Sequence, residues 1–541
     1  MKHNNINYIK GLAVALAATA SLASCNDDLD KLPDNRMELK SGEEVSSLLV
    51  SAYPREYAAY MLEMFSDNSD CYATVTSWNF ESRFQEQAFL WQDITEVDSE
   101  TPKSLWDTYY FAIASANQAL EFLEGNNPEK NYPNQLSEAL LCRAYSMYKL
   151  SEIFCQAYDP ATADKNLGLP YPLKPETKIG ETYVRGTLAE LYQKIDADIQ
   201  RALPYVHNNY QAVKYHFNQN AAYAFAARFY LNYRKFDKTI EYASMVLGDN
   251  PKLKLRDWAA FNVLSANDQI QPNDFVDSKK TCNLFMHTAN SSWGVYGANY
   301  SVAQGACHGA RIAEDETIES EGPWGKTDKT LGYTVFTNDA LARHFVRNIP
   351  YAFEYTDIQA GIGYRHTINP DFTTDKLLME RAEAYALSGD YESAVQDLNF
   401  ELSAFQVNGY KPLTLQEIVN FYNKLNYYTP RKATPKKKFN TTLVTDETTQ
   451  EPLLQCILHL HRILSIHEGQ RLQYVKRYGI EMYRRSVDKS HTVFFDNTDG
   501  YFTIGKDVYP CPVMKPNDLR LAIQLPADVI TAGLEPNPRN K

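Results

Sequence analysis

The feature that most constrains what this chain can fold into is a helical-hairpin pattern that occurs twice. One copy runs from Ala227 to Ile240 and the other from Ala382 to Val395. Each copy has small residues and a tyrosine in a first helix, then a tight turn with an aromatic residue and an acid, then a second helix. Small residues let two helices approach closely, and such a hairpin buries its apolar face by stacking on neighbours. The pattern therefore predicts a mostly α fold of tetratricopeptide-like helical hairpins.

Further amphipathic segments extend this helical pattern toward the N-terminus. Residues 104–124 carry apolar side chains at three- and four-residue steps, and residues 137–155 continue in the same style. The next predicted helix begins at Thr187, with Glu190 in capping-box spacing, and stops at Pro204. We expect these helices to pack with the repeats in one frame.

The predicted frame is interrupted, because the repeats do not follow one another at the tetratricopeptide period of about 34 residues. It covers roughly 103–250 and 374–485, with loop-rich insertions at roughly 250–335 and 405–450. The insertions are rich in Asn, Gly, Thr, Tyr and Pro, and loops of this length are usually functional or disordered. A chain of 541 residues would normally suggest two or more domains.

The N-terminus has the layout of a lipoprotein signal peptide over residues 1–24. Lys2 and Lys10 form a positive region, and a short apolar stretch and small residues follow. The apolar stretch is well short of the roughly 20 residues that span a bilayer. It ends in Leu-Ala-Ser-Cys25, which resembles a bacterial lipobox. We therefore predict lipidation of Cys25 and a mature protein anchored outside the cytoplasm.

The charge of the chain disfavours nucleic acid as a partner. The net charge is −13, whereas phosphate binding needs clustered Lys and Arg. One basic cluster occurs among Pro and Thr, and we interpret it as a solvated loop: Arg431, Lys432, Lys436, Lys437 and Lys438. The acidic run 314–321 lacks the loop spacing of a calcium site, so it too is predicted to be solvated.

No metal site or cofactor is expected from the cysteines and histidines. Of eight cysteines, seven follow Cys25, at irregular spacing and without a CxxC pair, which argues against a disulfide framework or a zinc ribbon. His459 and His461 cannot share one helix face. His467 lacks the second histidine that a zinc protease motif requires.

No enzymatic motif is present either, so catalysis is not expected. The Gly322–Thr327 segment has the wrong spacing for a phosphate loop, and there is no G-x-S-x-G elbow. Carboxylates are too numerous for a glycosidase pair to be argued from sequence. Glu468 and Arg471, three residues apart, are predicted to form a structural ion pair.

Several short motifs, taken in order, resemble the SusD/RagB family of lipoproteins over essentially the whole chain. The motifs are the lipobox at Cys25, Leu105-Trp106, Arg143-Ala144-Tyr145, Ile195-Asp196-Ala197-Asp198-Ile199, Arg381-Ala382-Glu383, His467-Glu468-Gly469-Gln470-Arg471 and Ile523–Pro526. The chain departs from the family pattern after Asn399, where Phe400-Glu401 follows, and at Tyr478, where the family has tryptophan. It resembles a divergent member.

The resemblance implies that residues 25–541 form a single domain. In it, about four tetratricopeptide-like units pack against a more irregular, ligand-facing half. It also implies a partner, a SusC-type TonB-dependent transporter, on which the lipoprotein acts as a lid. Family members mostly bind glycans and some bind peptides, and none of this requires catalysis. The acidic residues 26–30 resemble the export signal of surface lipoproteins. The expected location is therefore the outer membrane, lipid-anchored and facing the cell exterior.

Aromatic residues on loops, with amide or guanidinium donors nearby, are the candidate ligand contacts, because sugars stack on aromatic faces and hydrogen-bond through their hydroxyls. They fall in two segments: Trp78, Asn79 and Arg83 in the N-terminal part, and Trp293, Tyr296 and Trp324 in the first insertion. An oligosaccharide is the favoured ligand. Capture of peptide or glycopeptide by the same lid mechanism, and a scaffold that binds only protein, remain alternatives.

Overall fold

The structure is a computed structural model that describes most of the chain outside the N-terminus. The described residues are 39–71, 80–176, 181–265, 269–296, 306–338, 342–485, 501–504, 507–510 and 513–540. The predictions for the signal peptide 1–24 and for Cys25, Trp78 and Asn79 lie outside the described residues.

Helices dominate the described part of the chain. They are α1 (Gly42–Leu49), α2 (Ala59–Phe65), α3 (Arg83–Phe89), α4 (Pro102–Glu124), α5 (Pro128–Asn131), α6 (Pro133–Phe154), α7 (Leu188–Ala202), α8 (Gln219–Asn232), α9 (Phe236–Leu247), α10 (Trp258–Asn262), α11 (Ile270–Phe275), α12 (Trp293–Tyr296), α13 (Ala310–Glu316), α14 (Thr327–Thr330), α15 (Thr374–Leu387), α16 (Tyr391–Phe405), α17 (Leu415–Lys424), α18 (Gln450–Leu464), α19 (Arg471–Tyr478) and α20 (Ala527–Thr531). Within the described ranges, no helix combines the length and the apolar character that crossing a bilayer requires.

Short strands lie between and after these helices. They are β1 (Asp70–Cys71), β2 (Asn283–Asn290), β3 (Ala306–Cys307), β4 (Glu321–Gly322), β5 (Gly325–Lys326), β6 (Val335–Asn338), β7 (Arg343–Val346), β8 (Ala352–Asp357), β9 (Ile362–Thr373), β10 (Met482–Tyr483), β11 (Tyr501–Ile504), β12 (Asp507–Pro510) and β13 (Val513–Met514). The largest sheet among the described residues has three antiparallel strands in the order β2-β9-β8.

The two repeated hairpins form one continuous helical stack. Helices α8 and α9 pack as one antiparallel pair and α15 and α16 as another, and α9 packs directly against α15. The helices of the N-terminal part, α4, α6 and α7, continue the stack, and α18 covers α15 on the other side. The prediction of a mostly α fold built from tetratricopeptide-like hairpins is confirmed.

Buried ion pairs explain why arginine occurs in the helical motifs. Arg143 on α6 makes two hydrogen bonds of 2.7 Å to the carboxylate of Asp198 on α7. Arg381 on α15 makes two bonds of 2.8 Å to the carboxylate of Asp397 on α16. Such forked pairs have fixed geometry and leave no buried charge without a counter-charge. They therefore fix how each helix meets its neighbour.

The three-stranded sheet lies at one end of this helical frame. The side chain of Asn218, the N-cap of α8, donates to the Leu284 carbonyl of β2 at 3.0 Å. Strand β9 leads directly into α15, whose first residue is Thr374. The N-terminal ends of α8 and α15 therefore carry the sheet, and the C-terminal ends of the same helices lie on the opposite side of the frame.

A buried ion cluster joins segments from both ends of the described chain. Its members are Asp67, Asp70, Glu316, Lys437, Arg462, Arg471 and Arg485. Glu316 lies at its centre, with Oε2 2.6 Å from Lys437 Nζ and 3.1 Å from Arg462 Nη1, and Oε1 3.1 Å from Arg485 Nη2. Burial alone would raise the pKa of Glu316, but these cations hold it at about 2.

The cluster corrects three expectations drawn from the sequence. Lys437, predicted to lie in a solvated basic loop, is buried, and so is Glu316 from the acidic run. The predicted ion pair between Glu468 and Arg471 is wrong. Arg471 pairs with Asp67 at 2.6 Å, and Glu468 instead contacts the ammonium group of Lys376 on α15. Each of these side chains is buried and pairs with a residue distant in sequence. It therefore contacts neither the solvent nor the near neighbour that the sequence suggested.

Candidate ligand-binding surface

Trp293 is part of the core in this structure. Its side chain is 3% exposed, its ring stacks on Tyr60 with centroids 5.0 Å apart, and its indole Nε1 donates to the His467 carbonyl at 2.6 Å. A tight contact explains the neighbouring glycine, since a Cβ on Gly294 would lie 2.4 Å from the Pro350 carbonyl oxygen. The ligand contact predicted for Trp293 finds no open ring face here.

Trp324 is also enclosed. It is 6% exposed, its Nε1 donates to the Thr327 hydroxyl at 3.1 Å, and its ring lies 5.2 Å from that of His459. Gly322 on the paired strand β4 leaves room for the ring, because a Cβ there would lie 2.3 Å from it. This indole fills space under the β4–β5 turn, and a ligand could not stack on it in this conformation.

Arg83 and Tyr296 are the remaining candidates among the described residues. Arg83 begins α3, and its side chain is mostly exposed, 3.7 Å from the carboxylate of Glu96. Tyr296 is the last residue of α12. Helices α3 and α12 meet on either side of Tyr60, which packs edge-on against Phe84 at 5.3 Å and stacks on Trp293. The structure thus brings the two predicted segments together at their described ends.

Among the described residues, the β8–β9 hairpin carries a pair of exposed aromatic side chains that the sequence analysis does not single out. Phe353 and Tyr355 on β8 are 36% and 56% exposed, and their rings meet edge to face with centroids 4.9 Å apart. They are two residues apart on one strand, so they project from the same face of the sheet. Phe353 lies opposite Arg365 on β9, which places this guanidinium on that face as well.

Phe353, Tyr355 and Arg365 are called the hairpin face below. Tyr355 lies opposite Gly363, where a Cβ would lie 2.1 Å from the Glu354 carbonyl oxygen and 2.7 Å from the Phe353 ring. Only glycine therefore fits beneath these rings. Two apolar rings beside a guanidinium offer stacking and hydrogen bonding on one exposed surface, which is the combination that a sugar or an extended peptide requires.

The hairpin face adjoins the start of α12. Arg365 Nη1 donates to the Ser292 hydroxyl at 3.3 Å, and the Ser291 amide donates to the Arg365 carbonyl at 3.1 Å. Both serines are held by the buried carboxylate of Glu100, which accepts from the Ser291 hydroxyl and, at 2.9 Å, from the Ser292 amide. Glu100 therefore positions the junction between the hairpin face and α12.

Glu100 gives this junction a predicted pH dependence. Burial raises the pKa of its carboxyl to about 8, so the folded protein favours the neutral form. Below about pH 4 both folded and unfolded chains are protonated. As the pH rises toward 8 the unfolded chain has already lost its proton, so this contribution to stability falls with rising pH.

We expect Glu100→Gln to remove this dependence, because glutamine does not titrate. Its amide oxygen can accept from the Ser292 amide, and its NH2 group can donate to the Ser291 hydroxyl. The variant should be more stable than the parent above pH 8 by about 1 kcal/mol or more. Urea unfolding of both proteins at about pH 5, 7 and 9 measures the difference. Equal pH slopes in the two proteins would contradict the assignment.

The histidines singled out in the sequence are buried structural groups. His459 accepts or donates hydrogen bonds at both ring nitrogens, to Ser320 at 2.8 Å and to Tyr422 at 2.9 Å. Burial lowers the pKa of His459 to about 3 and lowers those of His461 and His467 as well. Among the described residues, no group of three or more His, Cys, Asp or Glu side chains is arranged to hold a metal.

The fold defines a class of protein: a stack of tetratricopeptide-like helical hairpins with an irregular part added to it. The irregular part carries the exposed β8–β9 hairpin. Comparisons with known proteins make the assignment more specific. Residues 27–231 match the SusD-like family model described as "Starch-binding associating with outer membrane". No curated protein matches the chain.

Solved structures extend the similarity to nearly the whole chain. A SusD superfamily protein from Bacteroides thetaiotaomicron aligns with a TM-score of 0.60 at 16% identity, covering 92% of this chain and 100% of that one. A putative sugar binding protein from Bacteroides vulgatus gives 0.61 at 16%, covering 93% and 99%. A SusD-like carbohydrate binding protein from the same species gives 0.55 at 14%, covering 91% and 97%. The chain therefore shares its fold with SusD superfamily proteins over nearly its whole length, and residues 27–231 also match a SusD-like family model.

Proposed function

We propose that this protein is a cell-surface nutrient-binding lipoprotein that captures oligosaccharides and delivers them to a TonB-dependent outer-membrane transporter. The observation that carries the proposal is the hairpin face, on a chain whose structural relatives include proteins described as sugar binding. Its rings are exposed although the same sheet buries other aromatic residues, such as Phe285 and Phe372. An exposed aromatic cluster on a rigid frame is typical of a binding surface.

The chemistry of the hairpin face suits a pyranose. Phe353 and Tyr355 would cover the apolar C–H side of one or two sugar rings, which removes that surface and the rings from water. Arg365 and the phenol of Tyr355 would hydrogen-bond hydroxyls at the ring edge. Because Arg365 is itself positioned by Ser292, the donor is held in place before the ligand arrives. Such preorganisation reduces the entropy lost on binding.

The proposed transporter partner and lipid anchor are supported by the family description and by the N-terminal sequence, and not by the hairpin face. The family description refers to association with the outer membrane, and lipidation of Cys25 would supply an anchor on which a lid could move. In this proposal the helical frame contacts the transporter and the irregular half receives the ligand. A SusC-type gene lying beside the gene for this chain would support the pairing.

A specific observation keeps peptide capture as a second candidate. Strand β8 is an edge strand of its sheet, and all of its described residues are exposed. An extended peptide could pair with this edge through main-chain hydrogen bonds while its side chains contact Phe353 and Tyr355. A ligand panel must therefore include peptides as well as glycans.

The test of the proposal is the double variant Phe353→Ala, Tyr355→Ala. We expect it to weaken binding of the cognate glycan at least tenfold, which corresponds to about 1.4 kcal/mol, because the stacking surface is lost. Gel retardation against polysaccharides, followed by calorimetry with oligosaccharides and peptide mixtures, measures the effect. Both residues are exposed, so unfolding curves should be nearly unchanged.

Tyr410→Ala is the matched control, since this tyrosine is 39% exposed but lies in the loop after α16. It should leave binding at the parent value. Glycan binding that the double variant retains would place the ligand elsewhere on the chain. Binding of peptides alone would favour the second candidate, and a transporter complex without any small ligand would favour a scaffold.

A further inference from the structure

A pocket lies between α4, the segments 170–176 and 181–183, and α20, and none of the described residues that line it belongs to the hairpin face. Its volume is about 240 Å³. Pockets of about 300–1,000 Å³ hold drug-sized ligands, so this pocket suits a smaller molecule. The lining includes Trp106, Tyr110, Pro170, Glu176, Glu181 and Tyr183.

Three aromatic side chains line the pocket. Trp106 and Tyr110 lie one turn apart on α4, with ring centroids 4.6 Å apart, and Tyr183 contributes the third ring. The face of an aromatic ring attracts a cation that lies within about 6 Å of its centroid, and tryptophan attracts it most strongly. Groups of aromatic side chains are therefore typical of sites that bind quaternary ammonium groups.

Two acids add negative charge to the same pocket. Glu176 and Glu181 are exposed lining residues. Burial and the nearby carboxylates of both residues raise the pKa of the Tyr183 phenol, which places both charges close to this ring. The described residues of the lining include no lysine, arginine or histidine that would balance them. The pocket therefore attracts a cation and repels an anion.

Hydrogen bonds to α4 hold one wall of the pocket in place. The Tyr110 hydroxyl donates to the Pro170 carbonyl at 2.9 Å, and the Asn117 side-chain amide donates to the Pro172 carbonyl at 2.9 Å. Both prolines line the pocket, and the ring of proline restricts its own main chain. This wall is therefore formed before a ligand arrives, which reduces the entropy lost on binding.

We propose that this pocket binds a small methylated ammonium cation, the class of compound that choline represents. The methyl groups of such a cation can contact aromatic rings and apolar walls directly. A primary ammonium group is strongly hydrated and must give up hydrogen bonds to water. The pocket is small and its acids are exposed, so we expect a Kd for choline on the order of 1 mM. The inference does not depend on the proposed function.

The test is methyl NMR on the purified protein, with the lining residues Val529, Ala532 and Leu534 as reporters. Choline is titrated to about 50 mM, well above the expected Kd. The matched ligand is the neutral alcohol in which carbon replaces the quaternary nitrogen of choline. We expect saturable shifts with choline and at least tenfold weaker binding of the alcohol. The absence of saturable shifts with choline, or equal binding of the two compounds, would overturn the proposal.

Two variants test the rings and the acids separately. Tyr183→Leu removes one ring but keeps an apolar side chain, and it should weaken choline binding about threefold. Glu176→Gln, Glu181→Gln removes both charges and should also weaken it about threefold, with less effect at high salt. Tyr410→Leu and Glu392→Gln are the matched controls, since both residues are exposed elsewhere. Unchanged choline affinity in both pocket variants would show that the shifts arise at another site.

Two further compounds test the ligand class. Butylammonium represents a lysine side chain and should bind more weakly than choline, because its primary ammonium is more strongly hydrated. Equally tight binding would overturn the class and favour a lysine of a partner protein. Phosphocholine represents a lipid headgroup, and the two carboxylates should repel its phosphate. Binding as tight as that of choline would contradict the role given to Glu176 and Glu181.

The hairpin double variant separates this proposal from the proposed function. Phe353→Ala, Tyr355→Ala should leave choline binding unchanged even if it abolishes binding of glycans. Loss of choline binding in this variant would mean that the pocket is not a separate site. If choline binds the pocket while no glycan binds the hairpin face, the proposed function fails and the ammonium site stands.

Discussion

Replacing Glu316 with glutamine is expected to lower the free energy of unfolding by about 3–5 kcal/mol, one of the largest effects of any single change in this chain. Its carboxylate contacts Lys437, Arg462 and Arg485, and all four residues are buried. Glutamine removes one of the three buried carboxylates of the cluster, so Asp67 and Asp70 alone must balance its four cations. Chemical denaturation, with the midpoint and slope determined separately, measures the loss.

A matched control is Glu392→Gln, an exposed position in the first turn of α16. Surface changes of this kind stay within about 0.5 kcal/mol. A loss of similar size at Glu316 would mean that the buried cluster contributes little. A further variant, Glu316→Asp, keeps the charge but shortens the side chain, so a smaller loss than that of glutamine would assign the effect to charge rather than to shape.

The second large effect is expected at Trp293, and it separates a core role from a ligand role. Trp293→Ala should destabilise the protein by about 3–5 kcal/mol, because it removes a buried indole and its stack on Tyr60. The His467 carbonyl also loses its donor. Thermal and urea unfolding measure the stability, and ligand binding is measured at a temperature where the variant is still folded.

Trp293→Phe provides the intermediate case. Phenylalanine keeps most of the packing but cannot donate to the His467 carbonyl, so a loss of about 1–3 kcal/mol is expected. The opposite pattern would support the ligand contact predicted from the sequence. Stability near that of the parent, with glycan binding lost in Trp293→Ala, would mean that the indole contacts the ligand in a conformation different from the one described here.

The helical frame was predictable because its signals are local. The repeated hairpins at Ala227 and Ala382 correspond to α8–α9 and α15–α16, and small residues occur where these helices meet. The capping box between Thr187 and Glu190 is present, with both reciprocal hydrogen bonds. Periodicity and caps depend on residues only a few positions apart, so the sequence displays them directly.

The candidate surface was harder to predict, because exposure depends on contacts between distant segments. Trp293 and Trp324 lie in a loop-rich stretch, yet each is enclosed by residues more than a hundred positions away, such as His467 and His459. A usable signal for the hairpin was present. Aromatic residues alternate with polar ones at 353 and 355, and the short turn 358–361 follows.

The ion pairs of Arg471 and Glu468 were also hard to predict, because their partners are distant in sequence. Arg471 has an acid three positions away, but it binds Asp67, and Glu468 binds Lys376 instead. Helical spacing allows Glu468 and Arg471 to pair. A buried charge, however, requires a partner that encloses it and hydrogen-bonds to it, and the distant residues provide this. Spacing therefore predicts which residues can meet on a helix, and the tertiary fold decides which of them do.

The buried ion cluster also constrains the order of folding. Asp67 and Asp70 are synthesised early, but Arg462, Arg471 and Arg485 emerge about four hundred residues later. Contacts over such separations form slowly, because a long stretch of chain must be ordered first. Until they form, the early segment holds acids that it cannot bury. A truncated or stalled chain would therefore remain accessible to proteases. Only a chain that includes the C-terminal arginines can complete the cluster and bury these acids.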